Sequence, residues 1–462
     1  MTWALAEILQ ATGGRLLNGP PRQSLRAIST DTRGIEAGDL FVALRGDRFD
    51  GHAFLDQAVN AGAAAVLVDD SAAAAGIGDR AAIIAVADTL RALGDLARHR
   101  RLGRSLPLVG ITGSNGKTST KEMLATILEI SHRVLKNQGN FNNLVGVPLT
   151  LLKLEASHQA AVIEMGINVP GEMAQLVRMT APTAGLITNI QPAHLEGLGS
   201  EERVLQEKGL LWRSLGAQGL AAVNLDDPRL AELSRELTCR RRTYSCVDPK
   251  AEVRPAGPIR FAADGSHFDL VIGSETVAID LAVLGRHQVQ NAVAAAAMAH
   301  GLGIPAARIG AGLARHRPVR QRMATIPLAG GAILVDDTYN ANPRSTMAAL
   351  QAVREAADRR PVIAVLGEMR ELGVDSLAWH RRVGEYAAGL GLSRLITCGE
   401  AAREIGIGAL AAGLPEAAWR QAQSHAEATA LVLSETIQDT WILVKGSRGA
   451  AMEHVVKGIM ER

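Results

Sequence analysis

Cysteine is scarce in this chain of 462 residues, which contains three: Cys239, Cys246 and Cys398. Their odd number and wide spacing exclude a disulfide framework and match no zinc-binding pattern. We therefore expect three reduced thiols, of which the simplest interpretation is burial in the core.

Aromatic residues and unbalanced charge are also scarce. Phe, Trp and Tyr make up 3% of the chain, and 49 basic residues stand against 47 acidic ones, for a net charge of +2. A nucleic-acid-binding protein usually shows a basic surface and aromatic platforms for stacking bases. We therefore expect no nucleic-acid partner.

Long apolar runs are missing. No stretch approaches the length of a membrane span, and the N-terminus lacks the basic and apolar regions of a signal peptide. We expect a cytoplasmic enzyme without a membrane span. With a hydrophobic content of 47%, a chain of this length should hold about three domains.

The most informative segment is the one from residue 106 to residue 120. An apolar strand pattern breaks there at a glycine turn, and a helical pattern begins at Thr118. Gly113 and Gly116 allow backbone amides to turn toward a polyphosphate, and the helix N-terminus behind them carries partial positive charge. Lys117 can reach the terminal phosphates, and the Thr118 hydroxyl can ligate Mg²⁺. The segment predicts an ATP-binding loop.

This loop is shorter than the standard phosphate loop, which requires a glycine at the position of Ile111. The remaining pattern, G-x-x-G-K-T, is short enough to occur by chance. The alternative is a tight strand–helix turn whose lysine is only solvated. The position of the loop between a predicted strand and a predicted helix favours phosphate binding.

The patterning predicts an α/β protein of three domains. They are a small N-terminal α/β domain (1–84), a central parallel-sheet P-loop ATPase domain (85–314) and a C-terminal Rossmann-like domain (315–462). Strands are predicted at 27–33, 39–44, 64–68, 108–111, 160–163, 186–190, 220–223, 332–335, 362–366, 395–398 and 442–444, with antiparallel strands within 240–285. Helices are predicted at 54–61, 89–101, 345–356 and 379–388.

Polar residues follow several of the predicted strands, where open parallel sheets bind their ligands. Glu164 ends one strand and His194 follows the next, so both could face the phosphates, and a carboxylate there could hold Mg²⁺. Taken singly, a salt bridge for Glu164 and a capping or core role for His194 are equally good interpretations. When Glu164 and His194 are considered together with the phosphate loop, a role in the nucleotide site is favoured for both.

Three further positions are more ambiguous. From sequence alone, Lys208 is best interpreted as a solvated helical lysine. Asn291 opens an Ala-rich helix, and a packing or capping role is the alternative to a functional one. The stretch 336–343, Asp-Asp-Thr-Tyr-Asn-Ala-Asn-Pro, ends a strand with an unusual density of polar groups, although an ordinary Asx turn would explain it.

Several segments together resemble the Mur ligases, ATP-dependent enzymes that build the peptide stem of the peptidoglycan precursor. The similarity extends over nearly the whole chain. It includes the loop 112–118, Gly-Asn-Phe-Asn-Asn at 139–143, Glu164, the segment 189–194, and His287 with Asn291. Segments 31–33, 41–46, 49–52, 336–343, 366–373 and 444–448 resemble most the member that adds D-alanyl-D-alanine.

The resemblance implies residue roles. Catalysis would involve Lys117, Lys208, His194 and Glu164. ATP would contact Thr112, Gly113, Ser114, Asn115, Gly116, Lys117, Thr118, Ser119, His287, Asn291, Arg322 and Asp337. The other substrates would contact Ser29, Thr30, Asp31, Arg33, Arg45, Gly46, Asp50, Gly51, His52, Asn140, Asn143, Tyr339, Asn340, Asn342, Lys445 and Arg448. Mg²⁺ would be held by Thr118, Glu164, His194 and a carbamate formed on Lys208.

The resemblance also implies the partners and the reaction. ATP would activate the carboxylate of UDP-N-acetylmuramoyl-tripeptide as an acyl phosphate, and the amine of D-alanyl-D-alanine would then attack it. We expect the N-terminal domain to bind the UDP-sugar, the C-terminal domain to bind the amino substrate, and the protein to be a monomer.

Three alternatives remain open at this point. Two are ligases: the Mur ligase that adds the third stem residue, and folylpolyglutamate synthetase. The third is a nucleotide switch that uses the same phosphate loop and hydrolyses ATP or GTP slowly without an acceptor.

Overall fold

The computed structural model describes residues 2–20, 23–46, 49–191 and 195–461, without the side chains of residues 195 and 196. Three large sheets, of five, ten and six strands, organise the described residues, each associated with its own helices. The predicted α/β class with three sheet-based units is confirmed. The exact domain boundaries remain predictions.

The N-terminal unit contains a five-stranded sheet and a short two-stranded pairing of β1 with β3. The sheet has the order β2-β7-β6-β5-β4, with β2 antiparallel at one edge. Its strands and helices are β1 (Trp3–Ala4), α1 (Leu5–Thr12), β2 (Arg15–Asn18), β3 (Ser24–Leu25), β4 (Ile28–Ser29), β5 (Leu40–Val42), α2 (Leu55–Asn60), β6 (Ala65–Val68), β7 (Ala82–Ala85) and α3 (Thr89–Leu102).

The central unit is built on a ten-stranded sheet, whose parallel part has the order β14-β13-β12-β11-β8-β10-β9. Its elements are β8 (Leu108–Thr112), α4 (Lys117–Leu128), β9 (Val134–Lys136), α5 (Gly146–Leu151), β10 (Ala160–Glu164), α6 (Glu172–Thr180), β11 (Ala184–Ile187), α7 (Leu195–Leu198), α8 (Glu201–Arg213), β12 (Leu220–Asn224), α9 (Pro228–Leu233), β13 (Arg240–Tyr244), β14 (Val253–Pro255), β15 (Arg260–Ala262), β16 (Gly265–Ile272), β17 (Glu275–Leu281), α10 (Arg286–Gly301) and α11 (Ala306–Arg315).

Both faces of the central sheet are buried at β8, β10, β11 and β12, which explains why these strands are continuous apolar runs. Helices α4, α10 and α11 cover one face, and α5, α6, α8 and α9 cover the other. The Ala-rich part of α10, Ala294–Ala297, is buried, so its small side chains allow close packing against the sheet.

The C-terminal unit is a doubly wound sheet of the order β18-β19-β23-β20-β21-β22, parallel except for the edge strand β18. Its elements are β18 (Ala324–Pro327), β19 (Ile333–Asp337), α12 (Pro343–Ala357), β20 (Val362–Gly367), α13 (Ser376–Ala388), β21 (Arg394–Cys398), α14 (Arg403–Ala411), β22 (Trp419–Ala422), α15 (His425–Glu435), β23 (Trp441–Lys445) and α16 (Glu453–Met460). Helices α12–α14 pack on one face, and α15 and α16 on the other.

Two strand predictions were wrong in part. The predicted strand 27–33 is only β4, because the Asp31 carboxylate caps a 3₁₀ turn at Thr32–Gly34. Within 240–285, β13 is parallel to β12, and the strands β15, β16 and β17 that follow β14 are antiparallel to their neighbours. The edge strands β2, β18 and β22 were missed, since short, partly exposed strands carry little apolar signal.

None of the helices that the structure describes is both long enough and apolar enough to cross a membrane.

Candidate active site

The phosphate-loop segment joins β8 to α4, as the sequence predicts. Gly113 has φ +143°, and a Cβ atom there would lie 1.9 Å from Thr188 Oγ1. Gly116 has φ +82°, and a Cβ atom there would lie 2.2 Å from Asn291 Oδ1. Both positions therefore require glycine for conformation and for space. The turn places the N-terminus of the twelve-residue helix α4 at the end of the sheet.

The loop is held from one side by the segment that follows β11. Ser114 N donates to Asn189 O (2.9 Å), and Asn115 N donates to Asn189 Oδ1 (3.0 Å). Ser114 Oγ donates to Gln191 O, and Asn115 Nδ2 donates to Gln191 Oε1, both at 2.8 Å. These bonds fix the loop before any ligand binds.

Lys117 lies at the first position of α4, and its Nζ donates to Gly113 O (2.9 Å) and Ser114 O (3.2 Å). Burial lowers the pKa of Lys117, and the charge of Glu164 opposes that shift. A cation in a poorly hydrated position interacts strongly with an anion that reaches it. Lys117 is therefore suited to a phosphate group.

Glu164, at the end of β10, is 2% exposed. Its Oε1 accepts a hydrogen bond from Asn142 Nδ2 (2.8 Å). Its Oε2 is buried and has no hydrogen-bond partner among the described residues. A buried carboxylate oxygen without a partner is costly, so this oxygen calls for a ligand such as a cation.

Lys208, on α8, is not the solvated lysine that sequence alone favours. It is 1% exposed, and within the described part of the chain its Nζ has no hydrogen-bond partner. Burial, and then the nearby charge of Lys117, lower the pKa of Lys208 well below its usual value. The lowered pKa raises the fraction of neutral amine, which is the nucleophilic form that reacts with CO₂.

The turn after β19 faces the phosphate loop. Lys445 Nζ, at the end of β23, donates to Asp337 Oδ2 (2.6 Å) and to Asn340 O (2.8 Å). Asn342 caps α12 by accepting from Ser345 N, and its Nδ2 donates to Asn115 Oδ1 at 2.7 Å. The central and C-terminal sheets thus meet at their carboxyl ends, as the rule for parallel sheets predicts.

Four further predicted residues lie around this junction. Arg322 stacks on Tyr339 with its guanidinium carbon 4.0 Å from the ring centre. Burial lowers the pKa of His287 to about 4, so its imidazole is neutral at pH 7. Asn291 Nδ2 donates to Gln288 Oε1 (3.1 Å), beside Gly116.

A cavity of about 440 Å³ lies between these elements. The predicted site residues that line it are Ser114, Asn115, Gly116, Lys117, Thr118, Ser119, Asn140, Asn143, Glu164, His287, Asn291, Arg322, Asp337, Tyr339, Asn340, Asn342 and Lys445. The structure therefore brings together predicted residues that are up to about 330 positions apart in the chain.

Other predicted residues do not line this cavity. Thr112 donates its hydroxyl hydrogen to Met165 O (2.8 Å), and Gly113 packs against Thr188. Arg448 pairs with Glu453 at 3.0 Å. Lys208 is buried near Lys117. His194 falls outside the described residues.

The predicted N-terminal residues form a separate group. His52 Nδ1 lies 2.6 Å from Asp50 Oδ1, and Arg45 pairs with Asp50 and with Asp69 (3.1 Å). Gly51 packs against the backbone of Leu44 and Gly46 N donates to Phe49 O, so both shape this loop. Beside Thr30, Ser29 Oγ donates to Asp31 O and accepts from Asp31 N, and hydrogen bonds from Arg33 lower the pKa of Asp31 to about 2.

Sequence reasoning missed several lining residues. Asn142 supports Glu164 directly, although only Asn140 and Asn143 of the same motif were selected. Arg344, Arg370 and Trp379 also line the cavity. The position of Arg370 in the segment 366–373, which the resemblance already included, was the available signal.

A metal site made only of conventional side chains is not present in the described ranges, where no group of three or more His, Cys, Asp and Glu residues could hold an ion. The predicted Mg²⁺ site differs from such a group, because it also includes the Thr118 hydroxyl, a carbamate on Lys208 and His194. The unpartnered Glu164 Oε2 is compatible with that site.

Comparison with known proteins agrees with this geometry. The family models described as Mur ligase family, catalytic domain; Mur ligase middle domain; and Mur ligase, glutamate ligase domain match residues 24–101, 111–299 and 321–448. The chain is 39% identical over 443 residues to the UDP-N-acetylmuramoyl-tripeptide–D-alanyl-D-alanine ligase of Escherichia coli (strain K12), covering 95% of this chain and 94% of that protein.

Solved structures show the same relation. A crystal structure of MurF from Acinetobacter baumannii superposes with a TM-score of 0.91 at 33% identity, covering 100% of this chain and 99% of the other. MurF ligase from Thermotoga maritima in complex with ADP superposes with a TM-score of 0.84 at 25% identity, covering 94% and 97%.

Proposed function

Because this chain belongs to the Mur ligase family and is an ATP-dependent ligase, we propose that it joins D-alanyl-D-alanine to UDP-N-acetylmuramoyl-tripeptide in peptidoglycan precursor synthesis. The observation that carries the proposal is the cavity in which the phosphate loop faces the turn after β19. A phosphate donor and an amine bound on opposite walls would meet there. The chain would act in the cytoplasm, where ATP is available, and as a monomer.

The first step is the transfer of the ATP γ-phosphoryl group. A carboxylate oxygen of the tripeptide forms a bond to the γ-phosphorus as the bond to the β–γ bridging oxygen breaks, which gives an acyl phosphate and ADP. Both reactants are anions, so the positive charge of Lys117 and the α4 N-terminus must offset their repulsion.

The second step forms the amide. The free amine of D-alanyl-D-alanine attacks the acyl carbonyl carbon, phosphate leaves from the tetrahedral intermediate, and the amine loses a proton. The protein contributes mainly position, because reactants held at contact distance need no further encounter. Water must be excluded, since it would hydrolyse the acyl phosphate.

The chemistry of the side chains fits Mg²⁺, which prefers oxygen ligands and retains several waters. Glu164 Oε2 is an available oxygen, the Thr118 hydroxyl lies at the start of α4, and a carbamate on Lys208 would add an anionic oxygen. When bound, the ion would neutralise phosphate charge. His194 remains a candidate ligand.

We propose that the N-terminal unit binds the uridine nucleotide through Arg45, Asp50 and His52, together with Asp31 and Arg33. Arg33 pairs with Asp31, Arg45 pairs with Asp50, and a hydrogen bond joins His52 to Asp50. None of them lines the central cavity, which suits a substrate whose reactive end must extend some distance to reach ATP.

A single assay tests the function. Phosphate release from ATP should require UDP-muramoyl-tripeptide and D-alanyl-D-alanine together, and the product should be the pentapeptide. Acceptance of diaminopimelate or lysine with the muramoyl-dipeptide would assign the preceding Mur ligase instead. Hydrolysis of ATP or GTP that no acceptor stimulates would favour a nucleotide switch.

Glu164→Gln is expected to raise the Mg²⁺ concentration for half-maximal activity at least about tenfold, because it replaces an anionic oxygen ligand by a neutral amide. The KM for the UDP-sugar should change little. Magnesium titrations of ligase activity measure both. Glu155→Gln, at an exposed glutamate that pairs with Arg133, is the matched control. Superimposable titrations for Glu164→Gln and the wild type would show that Glu164 is structural.

Asn340→Ala is expected to raise the KM for D-alanyl-D-alanine roughly tenfold, the effect of losing about one hydrogen bond to a charged group. Lys445 neutralises Asp337, and the Asn340 side-chain oxygen accepts from Ala341 N. Within the described part of the chain Asn340 Nδ2 makes no hydrogen bond, so it can donate to the ligand.

Steady-state kinetics with each substrate varied in turn would measure this effect, with exposed Asn60→Ala as the control. The KM for ATP should move less than that for the dipeptide. A dipeptide KM equal to that of the wild type would show that the dipeptide does not bind to Asn340.

A further inference from the structure

One buried amide, that of Asn137, is not used by the proposed reaction. Asn137 is 1% exposed and follows β9, the edge strand that runs parallel to β10. The last backbone pair between these strands is Lys136 with Val162. Beyond this pair β9 ends, and the Asn137 side chain takes the place of the strand backbone beside β10.

The contacts of this amide converge on Glu164. Asn137 Oδ1 accepts from Glu164 N at 2.9 Å, and Nδ2 donates to Glu164 O at 2.9 Å. The same Nδ2 donates to Phe141 O at 2.9 Å. The side chain therefore clamps both backbone polar groups of Glu164 and uses its full donor capacity.

Two further contacts connect the clamp to the rest of the site. Through Phe141 it holds the loop that carries Asn142, whose Nδ2 donates to Glu164 Oε1. The carbonyl oxygen of Asn137 accepts from Lys121 Nζ (2.6 Å), a fully buried lysine on α4. Asn137 thus joins the helix behind the phosphate loop, the loop 139–143 and Glu164.

We propose that Asn137 is a positioning residue that sets the direction of the Glu164 carboxylate toward the ligand of the phosphate loop. It acts twice: directly on the backbone of Glu164, and through Asn142 on Oε1. With Oε1 held, Oε2 is the oxygen left for a cation. The inference rests on the proposed role of Glu164 in the ligase reaction.

The chemistry of the position favours an amide. Leucine has a similar size but offers neither donor nor acceptor. Aspartate keeps the acceptor for Glu164 N but would place an oxygen against the carbonyls of Glu164 and Phe141. Both changes should loosen Glu164 while leaving the apolar core of the sheet intact.

The test compares Asn137→Leu and Asn137→Asp with Ser266→Ala. Ser266 is a buried residue of the same sheet whose Oγ donates to Val283 O (2.6 Å), and it lies on β16, six strand positions along the sheet from β10, which carries Glu164. It controls for a general loss of stability. Thermal unfolding is used to check that each variant is folded. If Asn137→Leu does not fold, Asn137→Asp is the variant on which the measurements are made.

Two measurements are made on each folded variant. Magnesium titrations give kcat and the half-saturating concentration, and electron paramagnetic resonance gives the affinity for Mn²⁺ in the presence of ADP. Both Asn137 variants should weaken metal affinity about tenfold to a hundredfold, as is typical of residues that orient a metal ligand. The KM for the UDP-sugar and the metal affinity of Ser266→Ala should stay near the wild-type values.

The outcomes separate this inference from the proposed function. If Glu164→Gln weakens Mn²⁺ binding and the folded Asn137 variants do not, the positioning role is refuted while the role of Glu164 stands. If the wild type itself forms no product from the three substrates, the proposed function fails.

Discussion

Lys117→Ala is expected to lower kcat by about a hundredfold to a thousandfold, the usual effect of removing one preorganised charged donor from a developing anion. Lys117 follows Gly116 at the start of α4, where the helix N-terminus and the lysine would act on the same phosphate groups of ATP. The desolvation that lowers the pKa of Lys117 also reduces competition from water for its charge.

Measurement of ADP formation with all three substrates present would show this loss. Exposed Lys153→Ala, on the same domain, is the matched control and should retain wild-type activity. The mutation also removes hydrogen bonds to Gly113 O and Ser114 O, so circular dichroism and thermal unfolding must show that the variant is folded. A folded Lys117→Ala protein with near-wild-type activity would refute the phosphate-loop assignment.

The features that could be predicted from the sequence are those with local causes. Strands β8, β10 and β12 are buried on both faces, so each is a continuous apolar run that local patterning reveals. The turn between β8 and α4 requires glycines at 113 and 116. Because the ends of parallel strands share one edge of a sheet, Glu164 could be selected from its position combined with that of the phosphate loop.

The features that escaped prediction depend on distant contacts. Lys208 lies on an amphipathic helix, and only packing against the sheet shows that it is buried. The hydrogen bond between Asn342 and Asn115 joins residues 227 positions apart. The motif 139–143 contains several asparagines, and the backbone of the loop decides that Asn142 is the one that contacts Glu164. That backbone is held by Asn137, which lies outside the motif.

Lys208→Met is expected to abolish ligase activity and to stabilise the ligand-free protein. The Lys208 amine is buried without a described hydrogen-bond partner, which costs about 1–3 kcal/mol, and methionine has a similar shape without that cost. An enzyme keeps such a group when it serves the reaction. Here burial lowers the pKa of Lys208 well below its usual value, which raises the fraction of neutral amine that CO₂ can convert to a carbamate. Because the reaction requires the neutral amine, the carbamylated fraction should rise with pH through the lowered pKa.

Three measurements test this role of Lys208 together. Thermal unfolding should show a higher Tm for Lys208→Met, and product formation should fall at least about a hundredfold, as for loss of a principal electrostatic group. Carbon-13 NMR with labelled bicarbonate should show a carbamate signal in the wild type and in the exposed-lysine control Lys153→Ala, but not in Lys208→Met. The smaller Lys208→Ala variant leaves space near the phosphate loop, so acetate or formate should restore part of its activity by supplying a carboxylate. A folded Lys208→Met enzyme with wild-type turnover would show that the buried amine has no part in the reaction.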